Sequence, residues 1–360
     1  MAAKMVVVQN LKPGDILADV VLSMSGKILL GKDITLSPRH ISLLKTWDVQ
    51  NVFINSDEEQ TVVEEQSVAE AQPVADPLQQ KTQKVNSKEY FEFVKQQNLI
   101  ITDVAKNFDV IRNLRIIPVS HLKDAVENIH SSIATNSFEV MNYLLVGDQK
   151  LTDFIPQHSV MVAYFSGLIA RKMRWDEGDI AGVALASLLH DIGNLTTNKI
   201  DDSRVQTHIA EMASLFKKTK GLSNEVILGS IQHRERANGS GFPTRVKGAQ
   251  IHPYARIIAV ADFFHNLAYT DKYANPFPVL DRIVLEMFEK FDPQVCMAFV
   301  NQVKDSLLFN RILLSNGQEA QIIFFHPNTY SSPVVKTMDG QIIDLAKCPQ
   351  LNIHQIVTSK

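Results

Sequence analysis

Apolar positions change their spacing three times along the chain. Between Val6 and Ile54 they come in short runs: Val6-Val7-Val8, Ile16-Leu17-Ala18-Asp19-Val20-Val21-Leu22, Ile28-Leu29-Leu30 and Val52-Phe53-Ile54. Pro13-Gly14, Ser25-Gly26 and Gly31-Lys32-Asp33 punctuate these runs, which predicts strands joined by turns. Ser37 to Trp47 predicts a short helix, with Ser37 as N-cap and Pro38 at its first position. Residues 57–85 differ: Glu58-Glu59-Gln60, Glu64-Glu65-Gln66 and Glu70-Ala71-Gln72 alternate with Val and Ala, and aromatics are absent. That composition, with Pro73 and Pro77, predicts an acidic disordered linker acting as a solvated tether.

From about Ser87 to Leu308 the spacing turns helical. Tyr90, Phe91, Phe93 and Val94 open an amphipathic pattern, and Leu122, Val126 and Ile129 continue it. Further helices are predicted near 156–173, 178–190, 206–218, 223–233, 253–269, 278–288 and 295–307. After Arg311 the runs shorten again, as in Ala320-Gln321-Ile322-Ile323-Phe324-Phe325 and Gln341-Ile342-Ile343-Asp344-Leu345. Asn316-Gly317, Pro327-Asn328 and Asp339-Gly340 separate them, so a small β-barrel or meander is expected. The fold class is mainly α: a helical bundle with a small β-rich segment at each end. Its expected parts are a β-rich, regulatory domain at 1–56, the linker at 57–85, a helical connector at 86–150, a helical functional domain at 151–308 and a β-rich tail at 309–360.

Composition narrows the function. A net charge of -3 provides no global basic field for a nucleic-acid polymer or an anionic membrane. No run approaches the roughly 18 apolar residues of a membrane span. Two cysteines, Cys296 and Cys348, form no metal knuckle and fit a reducing cytoplasm.

The chemistry concentrates in ionisable residues set among apolar ones. His190-Asp191 closes the small and apolar run Ile180 to Leu189, and Asp262 ends Ile257-Ile258-Ala259-Val260-Ala261. His158, His208 and His233 lie on separate predicted helices or at their ends. Taken singly, His158 or His208 reads as a satisfied core histidine, and Asp262 as a capping or salt-bridged carboxylate. Together, six such groups call for a partner, and imidazole and carboxylate are ligands of divalent transition metals. Wide spacing suits a centre built inside a helical bundle. Because consecutive helical side chains diverge by about 100°, His190 can serve one cation while Asp191 reaches between two. Two such cations can activate water and hold the oxygens of a phosphoryl group. The loop Glu235-Arg236-Ala237-Asn238-Gly239-Ser240-Gly241-Phe242-Pro243 follows His233-Arg234 and reads as a substrate rim, its glycines allowing close approach.

In this order and context the motifs resemble the HD-GYP family, bacterial cyclic di-GMP phosphodiesterases of the HD phosphohydrolase superfamily. The resemblance covers roughly residues 120–305. It rests on Gln157-His158-Ser159, Leu189-His190-Asp191-Ile192-Gly193, Thr207-His208, Gln232-His233-Arg234-Glu235-Arg236, Asn238 to Pro243, and Arg256 to Asp262. It implies a first metal held by His158, His190, Asp191 and Asp262. It implies a second held by Asp191, His208 and His233, with Asp191 bridging and iron or manganese as the metal. His190 and Asp191 then carry catalysis, and a metal-bridging hydroxide attacks phosphorus to give a linear dinucleotide, GMP, or both. Substrate contacts fall on Asn194, Arg234, Arg236, Asn238, Gly239, Gly241, Phe242, Pro243 and Lys272. The implied partner is cyclic di-GMP or a related nucleotide, with a signalling protein as a partner of the N-terminal domain and a homodimer as a compatible assembly.

The chain also departs from the family pattern. His233-Arg234 stands where two consecutive histidines are usual, which weakens the second metal site. Asn194 replaces a lysine, Asn238 an aspartate and Phe242 the tyrosine of Gly-Tyr-Pro. His265-Asn266 replaces Asp-Ala, and in Asp271-Lys272-Tyr273-Ala274 only Lys272 offers positive charge. Two readings follow: a metal-dependent phosphodiesterase, or a degenerate module that binds a nucleotide or protein without hydrolysis.

Overall fold

The computed structural model describes residues 3–22, 28–37, 40–41, 44, 51–55, 87–146, 154–196, 204–269, 275–327 and 329–357. The expected linker at 57–85 and Lys272 lie outside the described residues, as does most of the expected helix at 37–47. Of that helix, His40, Ile41 and Leu44 are helical. Two compact units emerge, Met1–Pro77 and Leu78–Lys360.

In the first unit β1 (Ala3–Val7) pairs antiparallel with β4 (Asn51–Asn55), and β2 (Val21–Leu22) with β3 (Ile28–Leu30). Single bridges from Ile16 to Thr35 and from Leu17 to Ile54 connect the remaining chain. Val8, Leu17, Val21, Leu30 and Val52, from the four apolar runs, are buried, as are Leu36 and Leu44.

The second unit is built on nine helices among the described residues. They are α1 (Ser87–Leu114), α2 (Val119–Val146), α3 (Phe154–Lys172), α4 (Glu177–Leu189), α5 (Arg204–Lys218), α6 (Asn224–Ile231), α7 (Pro253–Ala268), α8 (Phe277–Glu286) and α9 (Pro293–Leu307). Their starts carry the expected chemistry. Asp176 caps α4 by accepting from the Asp179 amide at 2.9 Å. Asp292 caps α9 by accepting from Gln294, with Pro293 filling the first helical position. Helix α2 breaks at Asn136, whose φ of -158 and ψ of 85 interrupt the helical backbone. Every residue of α3 from Pro156 to Ala170 is buried, which makes α3 the axis of the bundle.

One helix ends earlier than its apolar pattern predicts. The expected 223–233 helix is α-helical only to Ile231, and Gln232–Arg234 tighten into a 3-10 turn. That turn swings His233 inward, where its Nδ1 meets the Ser230 carbonyl at 2.7 Å.

The tail forms an open five-stranded antiparallel sheet of order β8-β7-β6-β5-β9, in which β5 to β8 make a meander and β9 crosses over to pair with β5. Its strands are β5 (Arg311–Leu314), β6 (Glu319–His326), β7 (Thr329–Thr337), β8 (Ile342–Asp344) and β9 (Ile353–Ile356). β9 was not expected, because Ile353-His354-Gln355-Ile356 offers only two apolar residues, yet it pairs along β5. The sheet is fixed to the bundle at two polar points. The Asp281 carboxylate on α8 accepts the amides of Tyr330 and Ser331, and the Asn310 amide donates to Asn142 Oδ1 at 2.8 Å. Ile312, Leu314, Ala320 and Ile322 belong to the same buried apolar cluster as α3 and α9. No helix among the described residues is long and apolar enough to cross a membrane.

Candidate metal centre

All six candidate ligands converge. His158 comes from α3, His190 caps the C-terminus of α4, and Asp191 follows it. His208 comes from α5, His233 from the turn after α6, and Asp262 from α7. Each is buried, Asp191 most exposed at 8%. The convergence depends on one close approach: a Cβ placed on Gly193 would stand 2.0 Å from the His208 carbonyl oxygen. Only glycine lets the Asp191-Ile192-Gly193 turn lie against α5 and bring His208 to the centre.

Four donors form the first group. His158 Nε2 stands 3.1 Å from His190 Nε2 and 3.2 Å from Asp262 Oδ1. His190 Nε2 is 3.7 Å from Asp262 Oδ1 and from Asp191 Oδ2, and His158 Nε2 is 3.9 Å from Asp191 Oδ2. Donors about 2.1 Å from one divalent ion stand roughly 3–4 Å from each other, so the spacing fits a metal. The tautomers fit too. His190 Nδ1 lies 2.6 Å from the Ser187 carbonyl, which can only accept, so Nδ1 carries the proton and Nε2 presents a lone pair to the centre. The Ser230 carbonyl imposes the same tautomer on His233.

Asp191 turns its other oxygen to a second group. Oδ1 is 3.7 Å from His233 Nε2, 3.8 Å from His208 Nε2 and 3.7 Å from Arg234 Nη2. It is buried and makes no hydrogen bond, although such an oxygen is costly to leave unsatisfied. A cation between the carboxylate and its neighbours would satisfy it. Arg234 also reaches Asp262 Oδ2 with Nη1 at 3.7 Å and donates from Nε to His233 Nε2 at 2.8 Å.

Electrostatics follow from this packing. Burial would raise the Asp191 and Asp262 carboxyls, yet His190 and Arg234 beside Asp191, and Arg234 with the facing imidazoles beside Asp262, hold both below the usual range. Burial, reinforced by Arg234, pushes His233 well below its ordinary value, and burial beside His158 does the same to His265. For His190 burial acts downward, but Asp191 and Asp262 outweigh it and the net direction is up. A pH dependence results for chelator-treated protein. His233 and His265 are neutral when folded and take up protons on unfolding below about pH 6.5. The stabilisation from His190 is fully present below that same value, so it does not change there. The depressed carboxylates act only below about pH 4. Melting temperature should therefore fall steadily from pH 6.5 to pH 5, and a flat or rising profile across that window would contradict the assignment.

The remaining candidates are dispersed around the centre. Asn194 stays in the turn after Asp191, its amide bonded to the Asp191 carbonyl at 2.9 Å. Gly239 takes a left-handed φ of 80, and Asn238 accepts the Ser240 amide at 2.9 Å. Gly241 lies flush on the backbone of Arg234 to Arg236, where a Cβ would stand 2.4 Å from the Arg236 nitrogen. Phe242 is half-buried against the core and Pro243 is exposed. Arg236 holds the loop itself, donating to the carbonyls of His233 and Glu235 and covering the Phe291 ring at 5.2 Å.

The roles of four further residues escaped sequence reasoning. Glu235 is buried, and its Oε1 accepts from the Thr244 amide, the Thr244 hydroxyl and the Arg245 amide at 2.7, 2.8 and 3.0 Å. It ties both ends of the glycine-rich loop together, and an acidic residue inside a charged loop gave no sign of that. Glu235→Gln keeps the shape but weakens charge-assisted bonds, so a loss of about 1–2 kcal/mol in denaturant unfolding is expected. His265 Nδ1 meets His158 Nδ1 at 2.9 Å, and Asn266 donates to Asp262 Oδ1 at 2.6 Å, so the pair replacing Asp-Ala orients two ligands. Phe154 stacks on His158, with ring centroids 5.4 Å apart and planes 10° from parallel, while remaining 50% exposed.

Comparison with known proteins agrees with this architecture. Residues 148–295 match the family model of the HD domain. These residues thus resemble an HD domain, and the expected resemblance to the HD-GYP family is borne out. A cyclic di-GMP phosphodiesterase of Pseudomonas aeruginosa is 25% identical over 269 residues, covering 69% of this chain and 64% of that protein. The 3'3'-cGAMP-specific phosphodiesterase 3 of Vibrio cholerae is 30% identical over 165 residues, covering 42% of this chain and 35% of that protein. The matches thus span less than two thirds of either relative. Among solved structures, an HDG"Y"P protein from Bdellovibrio bacteriovorus aligns with a TM-score of 0.51 at 17% identity, covering 84% of this chain and 100% of that one. That likeness speaks for the fold.

Proposed function

We propose that the chain is a metal-dependent phosphodiesterase that hydrolyses cyclic di-GMP or a closely related cyclic dinucleotide. One observation carries the reading: Asp191 presents Oδ2 to His158 and His190, and Oδ1 to His208, His233 and Arg234. A carboxylate so placed can engage a metal on one side and a second positive group on the other, an arrangement suited to activating water and holding phosphoryl oxygens. The relatives named for cyclic dinucleotide hydrolysis support the substrate class.

In this reading His158, His190, Asp191 and Asp262 hold iron or manganese, which supplies Lewis acidity toward water and the phosphoryl oxygens. The chain's own groups do the rest. Carbonyls of Ser187 and Ser230 keep His190 and His233 in the ligating tautomer, and Asn266 fixes the Asp262 rotamer. Arg234 offers two Nη donors toward the anionic group of the substrate, a fork that matches phosphate oxygens. Phe154 gives an exposed ring on which a base can stack.

A second reading, binding without hydrolysis, is favoured by the Arg234 bond to His233 Nε2, which engages a lone pair that a second metal would need. One experiment separates the two. Protein purified without oxygen and loaded with iron or manganese is incubated with cyclic di-GMP and, separately, 3'3'-cGAMP, and the products are resolved by anion exchange. Conversion to linear dinucleotide or mononucleotide is expected. Binding with no conversion under either metal would establish the second reading.

A further inference from the structure

We infer that Arg234 is a built-in substitute for one cation: the centre binds a single divalent metal beside a permanent guanidinium. The inference deepens the proposed function, since it rests on the reading that these residues form a metal centre.

The geometry supporting it is local. Two overlapping donor sets lie close enough to hold a metal, His158, His190 and Asp262 on one side and His190, Asp191 and His233 on the other, but only the second has a cationic side chain bonded to one of its donors. In the first, His158 Nε2, His190 Nε2 and Asp262 Oδ1 stand 3.1–3.7 Å apart, and Asp191 Oδ2 lies 3.7 Å from His190 Nε2 and 3.9 Å from His158 Nε2, with the His190 tautomer fixed so that its lone pair faces inward. In the second, His233 Nε2 also points inward, but it already accepts from Arg234 Nε at 2.8 Å. An imidazole nitrogen has one lone pair, which cannot accept that proton and ligate a metal together. The guanidinium then extends its Nη atoms to the two carboxylates, Nη2 to Asp191 Oδ1 and Nη1 to Asp262 Oδ2, each at 3.7 Å. It thus lies against two of the groups on which a second ion would depend, Asp191 and His233, and against Asp262 of the first group.

Charge supports the same conclusion. Asp191 and Asp262 are buried anions, and a cation beside them is needed to keep both ionised. Arg234 supplies that charge without being released, because a guanidinium is not deprotonated in proteins and is covalently part of the chain. A divalent ion placed a few ångströms from it would meet direct repulsion in a poorly solvated site. With one metal and one guanidinium, the centre retains positive charge toward a phosphodiester. Its second cation has fixed direction and five donors, but cannot acidify water as a metal does.

The test is metal stoichiometry, which does not depend on turnover. Chelator-treated protein is titrated with Mn(II), and bound metal is measured by elemental analysis after desalting. The wild type is expected to hold about one ion per chain and to show the spectrum of an isolated Mn(II) in electron paramagnetic resonance. Arg234→His, which frees His233 and adds a ligand, should hold about two and show an exchange-coupled pair. His158→Ala, which removes a ligand of the first group, should leave essentially none. Two ions in the wild type, or one retained after His158→Ala, would overturn the inference, as would no binding at all. An Arg234→His protein that folds and still binds one ion would also overturn it. Failure of the function reading looks different: one tightly held ion with no hydrolysis leaves Arg234 as assigned and removes the phosphodiesterase.

Discussion

Replacing His190 and Asp191 together with alanine should strip the centre of metal and lower turnover of a cyclic dinucleotide at least about a thousandfold, close to 4 kcal/mol of lost transition-state stabilisation. The size follows from position. His190 Nε2 faces three other donors within 3.7 Å, and Asp191 faces donor groups on both sides. Removing both leaves His158 and Asp262 in the first group, too few to fix a divalent ion against bulk water. The fold should survive, because the substitution deletes a buried charge while Arg234 keeps Asp262 as its counterion. Elemental analysis, circular dichroism and product chromatography on one preparation check this. A folded, metal-free double variant that still hydrolyses substrate at the wild-type rate would exclude the centre as the site of chemistry.

The second large effect concerns stability. Gly193→Ala puts a methyl group 2.0 Å from the carbonyl oxygen of His208, and backbone cannot yield as a flexible side chain can. Either the turn after Asp191 or helix α5 must shift, so a destabilisation of more than about 3 kcal/mol is expected, with a melting temperature lower by roughly 5–10 °C. Because the shift displaces His208 or Asp191, metal binding should weaken in the same variant. Gly221→Ala is the control. It has open space around its Cβ, so any loss there reflects only its φ of 87, and it should leave metal binding unchanged. Equal stability of Gly193→Ala and wild type would show that the turn does not pack as described.

The six candidate ligands were legible together rather than singly: His190-Asp191 and Asp262 close apolar runs, His158, His208 and His233 stand out through the motifs around them, and a protein interior tolerates such residues only with partners. Helix extents were legible from the apolar spacing, whereas the caps Asp176, Ser223 and Asp292 emerge only in the structure. The sequence exposed the identity of Arg234 but not its reach, since contact with Asp191, Asp262 and His233 depends on how α4, the turn after α6, and α7 meet. The roles of Glu235 and His265 were hidden for the same reason, their partners being in a loop without periodicity or distant in sequence, while Phe154 lay outside the helix expected at 156–173. β9 was hidden because a strand of four residues draws its definition from pairing along β5 rather than from its own pattern.

The tail sheet has a consequence for how such chains recombine. Ile312, Leu314 and Ile322 fill the same interior as α3 and α9, and Asp281 secures β7 from the helical side. A gene fusion that exchanged the last fifty residues would tear open that interior, whereas one made near Pro77 would cross a natural seam. Heredity can thus trade the front unit for another, but must pass the bundle and its sheet on as one piece.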